Sequence, residues 1–130
     1  MAEQTSLTTP TPVTPVGADH FVLPVDLPAG ASGITAAIDL KTRRLCRIAI
    51  PAGWITATSI TFQTSVDGTT FYNLYDSTGI EYTITVAASR SVLVPLIDFI
   101  GIRYLKIRSG TAAAAVNQTG SPVLQLVCLK

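Results

Sequence analysis

His20 is the only histidine in the chain, and it directly follows Asp19. A carboxylate beside an imidazole is the orienting half of a nucleophilic relay, in which the histidine takes a proton from serine or cysteine. The other half is missing, because no serine sits in the strand-to-helix elbow that exposes such a nucleophile. His20 therefore reads as a surface residue. One histidine with two cysteines, Cys46 and Cys128, falls short of the three or four ligands at turn-like spacing that zinc requires. Asp67, Asp76 and Asp98 stand singly rather than in an Asp-x-Asp-x-Asp run, so no calcium loop is expected. No glycine-rich stretch cradles phosphate. These absences predict a protein that is not an enzyme, with no catalytic residue, cofactor or metal.

The one concentration of charge is cationic: Lys41, Arg43, Arg44 and Arg47. It reads either as a solvated loop entering a strand or as an inter-subunit contact, where arginine forks take carboxylates or carbonyls of a neighbour. Aromatic residues do not interleave it, so it is not a nucleic-acid platform. The formal charge of +1 adds no field that would draw nucleic acid or an anionic membrane.

The elements that must carry these residues are strands. Ile60, Phe62, Thr64 and Val66 alternate with Thr61, Gln63 and Ser65, the period of a half-buried strand. Asp67-Gly68 supplies a tight reversal, and Phe71–Tyr75 returns antiparallel. Before this hairpin, Phe21–Leu27 is a strand made edge-like by Pro24. Ile34–Leu40 is a weaker strand, and Leu45–Ile50 a better one with Cys46, Ile48 and Ile50 on one face. Trp54 is expected to cap the core with its N–H bonded at the rim rather than to serve as a ligand platform.

After the hairpin, Tyr82, Ile84 and Val86 alternate with Glu81, Thr83 and Thr85. Ser91–Leu96 is a strand stopped by Pro95, and Leu96–Gly101 makes at most one helical turn. Arg103–Ser109 turns Leu105 and Ile107 inward and Tyr104, Lys106 and Arg108 outward. A loop from Gly110 to Ser121 precedes the closing strand, Val123–Leu129. About eight short strands without a convincing helix predict an all-β fold, an antiparallel β-sandwich of jelly-roll type over residues 20–130. Both cysteines fall in strands and are expected as buried free thiols.

Residues 1–19 differ in character. Pro10, Pro12 and Pro15 forbid a helix and cannot donate to a sheet ladder, so this Thr/Pro stretch reads as an extended arm. It carries too few apolar groups to fold back by itself, so it is either a disordered tail or held by another subunit. Charged residues make up only 13% of the chain, against about a quarter in ordinary domains, which suits a surface partly covered by a partner. No run approaches the ~20 apolar residues of a membrane helix. No basic segment followed by an apolar block opens the chain, so no secretory route is expected and the Asn117-Gln118-Thr119 acceptor pattern is incidental.

Two segments carry a resemblance. Ser65-Val-Asp-Gly-Thr-Thr-Phe71 followed by Leu74 resembles the Ser-x-Asp-Gly hairpin of discoidin-like and carbohydrate-binding jelly rolls, the galactose-binding-domain-like fold. Arg103-Tyr-Leu-Lys-Ile107 resembles a later strand of the same domains. The stretch from Thr61 to Ser109, with Asp98-Phe99 and the Asn117-Gln118 pair beyond it, is also similar to small accessory proteins of tailed-bacteriophage virions.

This second resemblance implies a homo-oligomeric jelly roll, a trimer for preference, attached to a major capsid protein or another virion protein. The chain would then be made in the bacterial host cytoplasm and end in the virion. The expected contact residues are Pro10, Pro12, Val13, Pro15 and Val16 of the arm together with Arg43 and Arg44, with Asp67 and Gly68 forming the hairpin turn. The competing expectation is glycan binding at an end of the sandwich, with Tyr72, Tyr75, Tyr104 or Trp54 stacking on a sugar.

Overall fold

The computed structural model describes residues 20–30 and 32–130; the arm residues Pro10, Pro12, Val13, Pro15 and Val16 lie outside them. The described chain is all-β. Its strands are β1 (His20–Asp26), β2 (Ile38–Asp39), β3 (Arg44–Ile50), β4 (Ser59–Ser65), β5 (Tyr72–Asn73), β6 (Thr83–Thr85), β7 (Arg90–Leu93), β8 (Tyr104–Ser109) and β9 (Val123–Leu129). Each of the nine falls on a segment read as extended from the sequence, with β2 and β5 reduced to two residues each. A 3-10 turn, Leu96–Phe99, occupies the place of the predicted helical turn.

Two antiparallel sheets form a sandwich. One runs in the order β1-β9-β3-β7; the other runs β2-β8-β4, with β5 and β6 pairing along the far edge of β4. Only β4 and β5 are neighbours both in sequence and in space. Every other pairing brings together distant segments, so the sheet order had no local signature.

The core lies between the sheets. Leu45, Ile48, Ile50, Leu124, Leu126 and Cys128 face Ile60, Phe62, Ile84, Leu105 and Ile107, all buried. Phe99, carried by the 3-10 turn, packs edge-on against Phe62 at 5.2 Å and Tyr82 at 5.7 Å, the tilted geometry that aromatic quadrupoles prefer. Trp54 is buried as expected, its Nε1–H donating to the Ala57 carbonyl at 2.9 Å.

Several local expectations need correction. The Leu45–Ile50 strand does not carry Cys46 inward with Ile48 and Ile50. Its register against β9 shifts between Leu45 and Arg47, so Cys46 is the extra residue of a bulge. One inserted residue moves the side-chain phase to the other face. Leu45 therefore enters the core, and Cys46 is only half-buried with its thiol on the Val127 carbonyl at 3.1 Å. Both thiols are free, and burial pushes that of Cys128 up to about 11, leaving it a poor nucleophile.

The Ile34–Leu40 strand contracts to Ile38–Asp39 plus an isolated pairing of Ile34 with Arg108. Ser91–Leu96 shortens to a strand that starts at Arg90 and ends at Leu93. Val66 is fully exposed, because β4 ends one residue before it.

The largest surprise lies on the outward face of the second sheet, where Thr61 and Arg108 were expected in solvent. They pair across β4 and β8, and both are buried, Arg108 only 7% exposed. The guanidinium donates to Glu81 Oε2 at 3.3 Å, Asn73 Oδ1 at 2.7 Å and Thr61 Oγ1 at 3.3 Å. Glu81 in turn accepts from the Ala112 backbone N–H, and Thr61 donates to the Gly110 carbonyl. Gln118, also fully buried, holds the same long loop by bonding both backbone groups of Ile55 and the Ser109 hydroxyl.

A buried ion pair that loses one partner strands the other charge, at a cost of about 3 kcal/mol or more. Arg108→Ala is expected to destabilise the domain by about 3 kcal/mol in urea unfolding. A change under about 1 kcal/mol would mean that the network is wet and dispensable.

Candidate partner-binding surfaces

Among the described residues, one end of the sandwich gathers the expected contact and turn residues Arg43, Arg44, Asp67 and Gly68. His20, Leu129 and Arg44 form the last row of the first sheet. Asp39, Tyr104 and Ser65 form the corresponding row of the second. Residues 40–43 and 94–103 bridge the two rows. β1 also starts at this end, at His20.

The basic cluster divides at this end. Arg43 lies over the Phe21 ring, 3.8 Å from guanidinium to ring centre, which fixes the 41–44 loop against β1. Lys41 takes a left-handed backbone angle of 58°, stabilised by its N–H donating to Asp39 Oδ1 at 2.8 Å. Arg103 forks onto both Asp39 oxygens at 2.9 and 3.2 Å and lies near the Tyr104 ring. That fork, followed by the Lys41 amide, holds the Asp39 carboxyl down at about 2. Between the 41–44 loop and residues 100–103 opens a cleft of about 370 Å³. Arg47 instead lies out on the sheet face, exposed in β3.

Across the ridge formed by Gly101 and Ile102 lies a second cleft of about 330 Å³, walled by the hairpin loop and Tyr72. The expected tight reversal is a wider loop over residues 65–71, because the last rung pairs Thr64 with Tyr72. Asp67 and Gly68 still organise it. Asp67 Oδ1 accepts from the N–H groups of Thr69 and Thr70 and from the Ser65 hydroxyl, while the Gly68 N–H donates back to Ser65 Oγ. Gly68 has φ +82°, and a Cβ there would meet the Tyr104 ring at 3.2 Å, so both conformation and space demand glycine.

Of the four aromatics considered for sugar stacking, Trp54 is consumed by the core and Tyr104 packs against Gly68 and Arg103. Tyr75 lies elsewhere, beside Tyr82 and Asp98. Tyr72 is 72% exposed at the mouth of a cleft.

The outward face of the first sheet is a second, flatter surface that the sequence reading did not single out. Register places Val22, Val127, Arg47 and Leu93 side by side across all four strands. Pro24, Gln125, Ala49 and Ser91 form the next row. Val22 is 51% exposed and Leu93 78%, with Val123 and Leu129 also open to solvent. A signal for it existed in the alternation of His20–Asp26, read from the outer side.

Among the described residues no set of three histidine, cysteine or acidic side chains converges to hold a metal ion. Asp76 bonds its own turn through Thr78 and Ile80, and Asp98 accepts from the Tyr82 hydroxyl at 2.7 Å. No protein-family model, curated protein or solved structure matches the chain.

The hydrogen bonds to Asp67, those of the Thr70 and Thr69 N–H groups first and the Ser65 hydroxyl after them, lower its pKa from 3.8 to about 2. A depressed carboxylate contributes order that is present above its ordinary pKa and is lost as pH falls through the depressed value. Amide shifts of Thr69 and Thr70 are expected to titrate near pH 2. A midpoint near pH 4 would mean that the loop does not use the carboxylate.

Proposed function

We propose that this chain is a non-enzymatic structural protein of a bacteriophage virion, a capsid decoration or spike-base protein. In this reading it assembles as a homo-trimer and binds the major capsid protein or another virion protein through residues 1–19. The virion setting comes from the resemblance of Thr61–Ser109 described above. The attachment role is carried by one observation, the outer face of the four-stranded sheet, where Val22, Pro24, Leu93, Val123 and Leu129 stand exposed among polar residues beside the strand into which residues 1–19 lead.

The size of that face supports a shared task. Three strands of seven residues and one of four, about 4.8 Å apart and about 3.3 Å per residue, give roughly 400 Å² per copy, hence roughly 800 Å² between two surfaces. Stable interfaces bury about 1,200 Å² or more. The sheet alone falls short, and an extended strap adds the missing area while making attachment multivalent. Arg47 in the middle of an otherwise apolar row suits an interface, where arginine is enriched and lysine depleted.

A second reading, a glycan-binding module of a phage head or tail fibre, is favoured by Tyr72, an exposed ring over a cleft edged by Ser65, Asp67 and Thr70. Two experiments separate them. Deleting residues 2–16 is expected to leave a folded sandwich that no longer co-sediments with particles; full occupancy after deletion would end the strap model. On a glycan array the protein is expected to give no saturable signal, whereas binding abolished by Tyr72→Ala would establish the second reading instead.

A further inference from the structure

We infer that the cleft between the 41–44 loop and residues 100–103 binds an acidic polypeptide segment of the partner. The inference rests on the attachment reading and adds the chemistry of what is attached. Four cations line this cleft, Lys41, Arg43, Arg44 and Arg103, and no carboxylate does. Arg103 is already matched by Asp39, whose carboxyl stays ionised under that fork. The remaining excess is supplied by Lys41, Arg43 and Arg44. In a chain with net charge +1 this is a local pole rather than a global property.

The type of anion follows from the surroundings. The Arg103–Asp39 fork shows that this wall already presents a guanidinium in the geometry that takes a carboxylate through two oxygens. A nucleic acid would need open aromatic rings to stack its bases. The two rings nearest the cleft, Phe21 and Tyr104, are instead engaged by Arg43 and Arg103. The 100–103 wall that carries Arg103 also offers aliphatic surface, with Ile100 exposed and Ile102 half-buried. Cations with aliphatic contacts between them describe a site for a Glu- or Asp-rich segment with interspersed apolar residues. Engagement of the Arg43 guanidinium with Phe21 also holds it in place, so less side-chain entropy is lost when a carboxylate arrives.

The test uses the full chain and a fluorescein-labelled peptide of ten glutamates, followed by fluorescence anisotropy. Binding is expected at about 0.1 M salt and is expected to be lost near 1 M, where the Debye length falls from ~10 to ~3 Å. The all-glutamine peptide is expected not to bind. The Arg43→Ala/Arg44→Ala double variant is expected to lose about tenfold or more in affinity, the scale of one charge-assisted hydrogen bond. Arg90→Ala, at the other end of β7, removes equal charge per residue and is expected to change nothing.

If the double variant fails to fold by circular dichroism, Lys41→Glu in the exposed loop is expected to weaken binding about threefold or more. An equal loss in Arg90→Ala, unchanged affinity in the Arg43/Arg44 or Lys41 variants, or tighter binding of a labelled oligothymidine would overturn the inference. The two readings fail separately. Loss of peptide binding with a positive arm-deletion result removes only the cleft, and the reverse result removes only the strap.

Discussion

The second sheet depends on a guanidinium kept out of water. Arg108 sits on the side of β8 that faces away from the core, yet its charge is enclosed by Glu81, Asn73 and Thr61. A buried cation tolerates no vacancy in its partner set, so each partner segment is pinned. Asn73 fixes β5 beside β4, Glu81 fixes the entry to β6, and the Ala112 amide on Glu81 ties down the loop beyond β8. The residue after Glu81 is Tyr82, whose ring joins Phe62 and Phe99 on the inner side. One electrostatic requirement on the outer face thus also sets the aromatic packing of the core.

The first sheet is built on the opposite plan. Its outer face has no such cover among the described residues, and its inner face is aliphatic. The bulge at Cys46 lets β3 present Leu45, Ile48 and Ile50 inward while Arg47 stands outside between Val127 and Leu93. Pro24 withholds a ladder donor at the edge strand β1, which blunts edge-to-edge pairing. The outer face and the loop end stay open, both beside the start of β1. The second sheet is tied together across its outer side, and the first is not.

The loop end is stiffened by small local devices rather than by core packing. Asp67 organises the hairpin loop, Asp39 ties the 39–41 corner to Arg103, and Arg43 clamps Phe21. Each places a charge where the neighbouring backbone or ring needs it, so these charges order the chain near the surface.

Local alternation was enough to reveal β1, β4, β6, β8 and β9, because one buried face repeats every second residue and leaves its trace in the chain. Asp67-Gly68 and Pro24 announced a turn and an edge for equally local reasons, φ freedom and a missing donor. The sandwich class followed from these pieces. Sheet order did not, since all pairings but β4–β5 join segments far apart in sequence, and nothing in either segment names its partner. The Cys46 bulge was invisible because it is defined by the strand opposite. Arg108 and Thr61 looked like solvent-facing polar residues, and Gln118 like one more residue of a long loop, until the distant Glu81, Asn73 and Ile55 were brought against them. The outer face and the basic cleft likewise exist only once β1, β9, β3 and β7 lie side by side and residues 100–103 return beside residues 41–44. Periodicity is a property of one segment; burial of a polar group and the shape of a surface are properties of several.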